Sequence, residues 1–141
     1  MREMPKRVLI VDDDEAILIR LESVLETLGY DTTTAWGGRE ALEALRRKPF
    51  DLVFLDDMLP DLSSEAVLDA IHELPIQPRV ALMKTGNSTH APSRDQLQAA
   101  TDCSTNKRSI GEAVDLIEKC LSRSEALARQ SARPLVASPR P

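Results

Sequence analysis

The stretch that decides the fold is residues 51–57, which read DLVFLDD. From Leu52 to Leu55 every position is apolar, with no alternation of polar residues. An unbroken apolar run of this length is typical of a parallel strand that is covered on both faces. The stretch therefore predicts a strand over Asp51–Leu55, with the acids Asp56 and Asp57 at its carboxyl end. In open parallel sheets, that edge carries the reactive groups.

Similar strands are predicted on both sides of this stretch. The apolar run Val8–Val11 is also followed by acids, here Asp12–Asp14. Tyr30–Ala35 is rich in threonine and suits a more exposed strand. Val80–Met83 is a fourth strand, and Cys103–Asn106 is a fifth, although it is polar and weak.

Helical patterns separate these strands. Apolar residues recur at helical spacing between Ala16 and Leu28, and Gly29 is expected to end that helix. The further helices are predicted over Arg39–Lys48, over Ser64–Leu74, after the capping box at Ser93, and after the capping box at Ser109. Five strand–helix units in succession predict an α/β fold, a three-layer (βα)5 sandwich with a parallel sheet between two helix layers.

Composition and charge limit the classes of function. Hydrophobic residues make up 42% of the chain and charged residues 29%, and no apolar run is long enough to span a membrane. We see no signal peptide, so we expect a cytoplasmic protein with its two cysteines reduced. The net charge is −5, although residues 122–141 carry four arginines against one glutamate. The acidic body predicts no direct binding of DNA and no membrane contact.

The chain divides into two parts by composition. Residues 1–121 hold all five strand–helix units, and we expect them to form the folded domain. Residues 122–141 are expected to prolong the last helix and then continue as a tail rich in proline, serine and arginine.

Acids from two strand ends should meet a hydroxyl and an ammonium group at one edge of the sheet. The residues concerned are Asp12, Asp13, Asp56, Thr85 and Lys107. Crowded carboxylates repel one another, and a hard divalent cation such as Mg²⁺ removes that conflict. We expect Asp13 and Asp56 to bind Mg²⁺ directly and Asp12 to bind it through water. A carboxylate such as Asp56 can accept a phosphoryl group, whose oxygens Lys107 and Thr85 would hold.

These residues also carry a family resemblance. The stretches VLIVDDDEAI, TAWGGREALEAL, DLVFLDDMLPD and DCSTNKRSIGEAV resemble the receiver domains of two-component response regulators, over about residues 6–121. The spacings are similar to those of the family as well: 43 residues from Asp13 to Asp56, 29 from Asp56 to Thr85, and 22 from Thr85 to Lys107.

The resemblance implies a sheet order of 2-1-3-4-5 and assigns roles to individual residues. Asp56 matches the phosphoacceptor, and Asp12 with Asp13 matches the acidic pair that binds Mg²⁺. The backbone carbonyl of Met58 matches a further metal ligand. Thr85 matches the switch hydroxyl, and Lys107 matches the lysine of the site.

The resemblance also implies the partners and the kind of activity. It implies a sensor histidine kinase or phosphotransfer protein as the phosphodonor, a downstream protein target, and a possible homodimer. The only chemistry that it implies for the chain itself is self-phosphorylation and self-dephosphorylation.

Four positions depart from the family pattern. Arg108 stands in place of the proline after the lysine, Ser104 in place of the switch aromatic, and Ser64 in place of a turn glycine. Lys84 stands before Thr85, where an apolar residue is normal. The departures at Ser104 and Arg108 favour an alternative, a pseudo-receiver that keeps the fold but acts as a non-switching interaction module.

Two enzyme classes are weaker alternatives. A haloacid-dehalogenase-type phosphatase would resemble DxDxT after strand 1, where this chain has DDDEA. A dinucleotide-binding enzyme would carry GxGxxG at that place, and the chain does not.

Overall fold

Strands and helices alternate along the chain in the computed structural model, which describes residues 4–84, 103–106 and 110–122; for residues 84 and 103–106 only the backbone is described. The elements are β1 (Arg7–Val11), α1 (Glu15–Thr27), β2 (Asp31–Ala35), α2 (Gly38–Arg47), β3 (Leu52–Asp56), α3 (Ser64–His72), β4 (Arg79–Lys84), β5 (Cys103–Asn106) and α4 (residues 110–122). The predicted strands and helices of the described ranges are present, with ends shifted by one or two residues. The helix predicted after Ser93 and the tail after residue 122 lie outside the described residues.

The five strands form one parallel sheet in the order β2-β1-β3-β4-β5. This order confirms the one that the family resemblance implies. β3 lies at the centre and is buried at all five positions, as its unbroken apolar run predicts. β2 lies at an edge; Thr33 and Thr34 are only partly covered, whereas Thr32 is buried.

Helices cover both faces of the sheet, and the side chains of each central strand alternate between the two cores. Val8 and Ile10 pack into one core, with α1 and α4. Leu9 and Val11 pack into the other core, with α2 and α3. The predicted three-layer sandwich is confirmed. No helix in the described ranges is long and apolar enough to cross a membrane.

Local signals fix the helix ends. Gly29 has a φ of +98° just beyond α1, a conformation that favours glycine, and its N–H donates to the carbonyl of Glu26 at 3.0 Å. α3 ends at His72, two residues before the predicted end, because the chain turns there and the N–H of Leu74 donates to the carbonyl of Ile71.

One expectation from the sequence is wrong. Cys120, which is buried in α4, is disulfide-bonded rather than reduced. The sequence contains one other cysteine, Cys103, whose side chain lies outside the described part of the structure.

Candidate functional site

Two neighbouring strands bring carboxylates to the same edge of the sheet. Asp56 is the last residue of β3, and Asp12 directly follows β1. Because these strands are parallel and Val11 pairs with Leu55, Asp12 and Asp56 occupy adjacent positions. The backbone N–H of Asp12 donates to the carbonyl of Ala35 at 3.0 Å, which extends the pairing of β1 and β2 by one residue beyond the end of β1.

The carboxylates of Asp12, Asp13 and Asp56 form a cluster in which one oxygen of each lies within 4.8 Å of the others. Asp12 has an exposed fraction of 0% and Asp56 of 1%, whereas Asp13 is exposed. Ionised groups are almost never buried to this extent unless hydrogen bonds, opposite charges or a metal ion compensate them. The cluster is therefore partly sealed from solvent, and Asp13 forms its open side.

Short backbone turns orient the two buried carboxylates. Oδ1 of Asp12 accepts the N–H of Asp14 at 2.9 Å, and Oδ1 of Asp56 accepts the N–H of Met58 at 3.1 Å. In both cases an aspartate binds the backbone two residues further along the chain, a turn that this side chain favours. Each acid is thereby held in one orientation at the start of the loop that follows its strand.

Asp14 begins helix α1 and does not belong to the cluster. Its Oδ1 accepts the N–H groups of Ala16 at 3.0 Å and Ile17 at 3.4 Å. These are two of the N–H groups that an α-helix leaves unpaired at its start. Asp14 thus fixes α1 directly after the acidic residues of the cluster.

Ser64 ties the start of α3 back to the end of β3. Its hydroxyl donates to the backbone carbonyl of Asp56 at 2.9 Å, and the serine is only 3% exposed. The position at which the family resemblance leads us to expect glycine therefore carries a buried hydrogen bond to the candidate phosphoacceptor.

The loop between β3 and α3 also contacts the start of α2. Oδ1 of Asp61 accepts the N–H of Gly38 at 2.8 Å, and Oδ2 accepts the N–H of Arg39 at 3.0 Å. The pKa of Asp61 lies below its usual value. The largest cause is the hydrogen bond from the N–H of Arg39, and the hydrogen bond from Gly38 acts in the same direction.

A comparison with protein families identifies this arrangement. The family model described as "Response regulator receiver domain" matches residues 8–129. The chain belongs to this family. The receiver is a signalling domain of two-component response regulators, as the sequence motifs indicate.

Named relatives agree with the family match. The receiver is 31% identical over 128 residues to the alkaline phosphatase synthesis transcriptional regulatory protein PhoP of Bacillus subtilis, covering 91% of this chain and 53% of that protein. It is 33% identical over 115 residues to the DNA-binding transcriptional regulator NtrC of Escherichia coli K12, covering 82% of this chain and 24% of that protein. The receiver thus spans about half, or less, of the length of these relatives.

A solved structure shares the fold. The CheY-like response regulator receiver domain protein of Methanospirillum hungatei JF-1 superimposes with a TM-score of 0.76 at 29% identity. The match covers 86% of this chain and 98% of that one, so it extends over nearly all of that solved receiver.

The donor set of the receiver fits a hard divalent cation. Three carboxylates supply oxygen ligands alone, with no sulfur or imidazole nitrogen in the cluster, and Mg²⁺ prefers such ligands. Two of the three are buried beside a like charge, a repulsion that a cation would relieve. Met58, whose N–H is bound to Asp56, keeps its backbone beside the cluster.

Two of the predicted site residues cannot be compared with the structure. Thr85 and Lys107 lie outside the described residues, as do Arg108 and the side chain of Ser104. The described register ends with the pair Lys84 and Asn106, which directly precede Thr85 and Lys107 in the sequence. The roles of these two residues remain predictions.

The sequence alone did not reveal three contacts of the site. In the sequence Asp14 is only one of the acids that follow β1, although an aspartate before an apolar helical pattern is a recognised start signal that identifies it as a helix cap. The partner of the Ser64 hydroxyl and the contact of Asp61 with α2 depend on the path of the loop, for which the sequence carries no signal.

Proposed function

We propose that the receiver accepts a phosphoryl group on Asp56 from a sensor histidine kinase or phosphotransfer protein, in a reaction that depends on Mg²⁺. The observation that carries this proposal is the carboxylate cluster, in which a buried Asp56 lies within 4.8 Å of Asp12 and Asp13 at the carboxyl edge of the sheet. Membership of the receiver family supports the same function.

In the proposed step, the phosphoryl group moves from an imidazole nitrogen of the donor to a carboxylate oxygen of Asp56. A carboxylate oxygen of Asp56 attacks the phosphorus of a phosphohistidine, the phosphorus–nitrogen bond breaks, and its electron pair returns to the imidazole. The hydrogen bond from Met58 to Oδ1 orients the carboxylate for this attack. The product is an aspartyl phosphate, and water later hydrolyses it.

The cation site would be formed by Asp12, Asp13, Asp56 and the backbone carbonyl of Met58. Bound there, Mg²⁺ neutralises charge on the phosphoryl oxygens. On the family resemblance, we propose that Thr85 and Lys107 contact the same oxygens, as a hydroxyl donor and as an ammonium group.

The consequence of phosphorylation would be a change in protein contacts. We propose a downstream protein target, with homodimer formation as one mode of output, and a cytoplasmic location beside the kinase. The relatives named above are transcriptional regulators, but the acidic receiver unit itself is not proposed to touch DNA. We assign residues 1–121 to this unit and residues 122–141 to an extension of it.

Intact-mass analysis after incubation with Mg²⁺ and acetyl phosphate tests the proposal. The parent should gain one phosphoryl group, which hydroxylamine removes because it cleaves acyl phosphates. Asp56→Asn should gain none, and Asp57→Asn, which neutralises the next residue in the chain, should still gain one. Uptake by Asp56→Asn equal to that of the parent would refute Asp56 as the acceptor.

A pseudo-receiver is the alternative function, and the replacement of the switch aromatic by Ser104 and of the proline by Arg108 favours it. Such a protein would bind its partner with the same affinity before and after exposure to the phosphodonor. A folded parent that gains no phosphoryl group would support this alternative over the switching receiver.

A further inference from the structure

The β3–α3 loop provides the cap that α2 lacks locally. An α-helix leaves its first N–H groups unpaired, and a polar side chain just before the helix usually accepts from them. In α2 that position is Gly37, which has no side chain to do so. The carboxylate of Asp61, more than 20 residues further along the chain, accepts from Gly38 and Arg39 instead.

The β3–α3 loop approaches α2 closely at the two glycines. A Cβ atom on Gly37 would lie 2.9 Å from Oδ1 of Asp61, and one on Gly38 would lie 2.7 Å from Cβ of Leu62. Gly37 has an ordinary extended φ of −159°. Closeness to the loop, and not an unusual backbone conformation, therefore explains why this pair lacks side chains.

The same loop carries part of the candidate site. At its start, the N–H of Met58 donates to Oδ1 of Asp56. At its end, the hydroxyl of Ser64 donates to the carbonyl of Asp56. Asp56 accepts both of these hydrogen bonds, whereas the hydrogen bonds of Asp61 connect the middle of the loop to the start of α2.

We infer that Asp61 is a positioning residue, which with Gly37 and Gly38 holds the β3–α3 loop so that the backbone of Met58 stays beside the carboxylate cluster. We call this contact the α2 latch. The inference rests on the proposed function, because it assumes that the cluster and Met58 bind Mg²⁺. The latch should therefore affect the affinity for Mg²⁺ more than the chemistry at Asp56.

The first test compares Asp61→Ala with Asp69→Ala. Both variants remove an exposed carboxylate, so they change the net charge equally, but Asp69 lies on α3 and takes no part in the hydrogen bonds of the latch. Isothermal titration with Mg²⁺, without any phosphodonor, should show about a tenfold weaker Kd for Asp61→Ala, which is the usual cost of losing a group that supports metal ligands. Asp69→Ala should keep the Kd of the parent within about twofold.

Amide hydrogen exchange in metal-free protein gives a second readout. Asp61→Ala should exchange faster at Gly38 and Arg39, which lose their acceptor, and also at Met58, whose N–H donates to Asp56 and not to Asp61. Faster exchange at Met58 is the signature of positioning, since loss of a cap alone would change only the start of α2.

Asp61→Asn keeps one oxygen acceptor, so its exchange rates at these amides should lie between those of the parent and those of Asp61→Ala.

Gly38→Ala tests the latch by a change in α2 instead of a change in the loop, and Gly111→Ala is its control. A Cβ on Gly111 would meet nothing within 4 Å, so only Gly38→Ala should displace the loop and weaken Mg²⁺ binding. Phosphate uptake by Asp61→Ala should be slow at low Mg²⁺ and return to the parent rate at saturating Mg²⁺, because Asp56 itself is unchanged.

An unchanged Kd in Asp61→Ala, or an equal loss in Asp69→Ala, would overturn the inference and leave the proposed function standing. A parent that binds Mg²⁺ but takes up no phosphate would overturn the proposed function and leave the inference about Asp61 standing. A parent that binds no Mg²⁺ would overturn both.

Discussion

Replacement of Ser64 by alanine tests whether the hydrogen bond to Asp56 stabilises the edge of the sheet. The hydroxyl donates to a buried backbone carbonyl at 2.9 Å, and the side chain is 3% exposed. Loss of a donor to a buried acceptor costs about 1–3 kcal/mol. Alanine is the better helix former and returns up to about 0.5 kcal/mol at the start of α3. The expected net loss in the free energy of unfolding is thus about 0.5–2.5 kcal/mol.

Urea unfolding followed by circular dichroism measures this loss. The midpoint should fall while the slope m stays unchanged, because the surface exposed on unfolding is the same. For a domain of this size, the melting temperature should fall by about 4 °C for each kcal/mol lost. Ser23→Ala, the same change at an exposed position of α1, should shift the free energy of unfolding by less than about 0.5 kcal/mol.

Ser64→Gly installs the residue that the family resemblance leads us to expect. It loses the same donor and adds the conformational entropy of glycine, so it should cost about 1 kcal/mol more than Ser64→Ala. A Ser64→Ala variant as stable as Ser23→Ala, or a Ser64→Gly variant more stable than the parent, would refute the argument that this hydrogen bond stabilises the site.

Three further predictions concern the core, the cluster and the latch. Phe54→Ala, at a fully buried position of β3, should lower the free energy of unfolding by about 3–5 kcal/mol; a loss below about 1 kcal/mol in urea unfolding would contradict the packing. Asp56→Asn in metal-free protein should raise that free energy, by up to about 3 kcal/mol, because it removes a like charge within 4.8 Å of two others; the gain should shrink when Mg²⁺ is added, and a loss of stability in EDTA would contradict the repulsion. The pKa of Asp61 is lowered in the folded protein, mainly by the hydrogen bond from the N–H of Arg39. The ionised carboxylate therefore stabilises the fold. This stability is fully present above the unfolded pKa of about 3.8 and is lost as the pH falls through the lower, folded pKa. The difference in melting temperature between the parent and Asp61→Asn should therefore be constant above this range and vanish at lower pH, and a difference that persists in acid would contradict the assignment.

The sheet could be predicted from the sequence because its central strands carry an unambiguous pattern. β3 is apolar throughout and buried throughout, and β1 repeats the pattern over Val8–Val11. The acids after these two strands could be placed together for the same reason, since parallel strands bring their carboxyl ends to one edge. Asp12, Asp13 and Asp56 meet there.

The contacts that surround the acids could not be predicted in the same way. Two adjacent glycines, Gly37 and Gly38, indicate a turn between β2 and α2, which is correct but incomplete. Their closeness to Asp61 and Leu62 depends on the path of the β3–α3 loop, and no local pattern encodes a contact over more than 20 residues. Ser64 was noticed as a departure from the family pattern, yet its hydrogen-bond partner is visible only once α3 is placed against β3.

The energetics of the cluster explain why these contacts matter. Placing Asp12 and Asp56 side by side in a buried position works against folding, since like charges repel strongly where water is excluded. Two hydrogen bonds from backbone N–H groups, of Asp14 and Met58, offset part of this cost. Because both donors lie in the loops that follow β1 and β3, the position of these loops determines how well the cluster is tolerated and how well it can bind a cation. The loop after β1 is fixed by the cap that Asp14 provides for α1, and the loop after β3 is fixed by the α2 latch. The cap of α1 thus supports Asp12, and the cap of α2 supports Asp56. The carboxylate cluster depends on these two helix starts as well as on the strands β1 and β3.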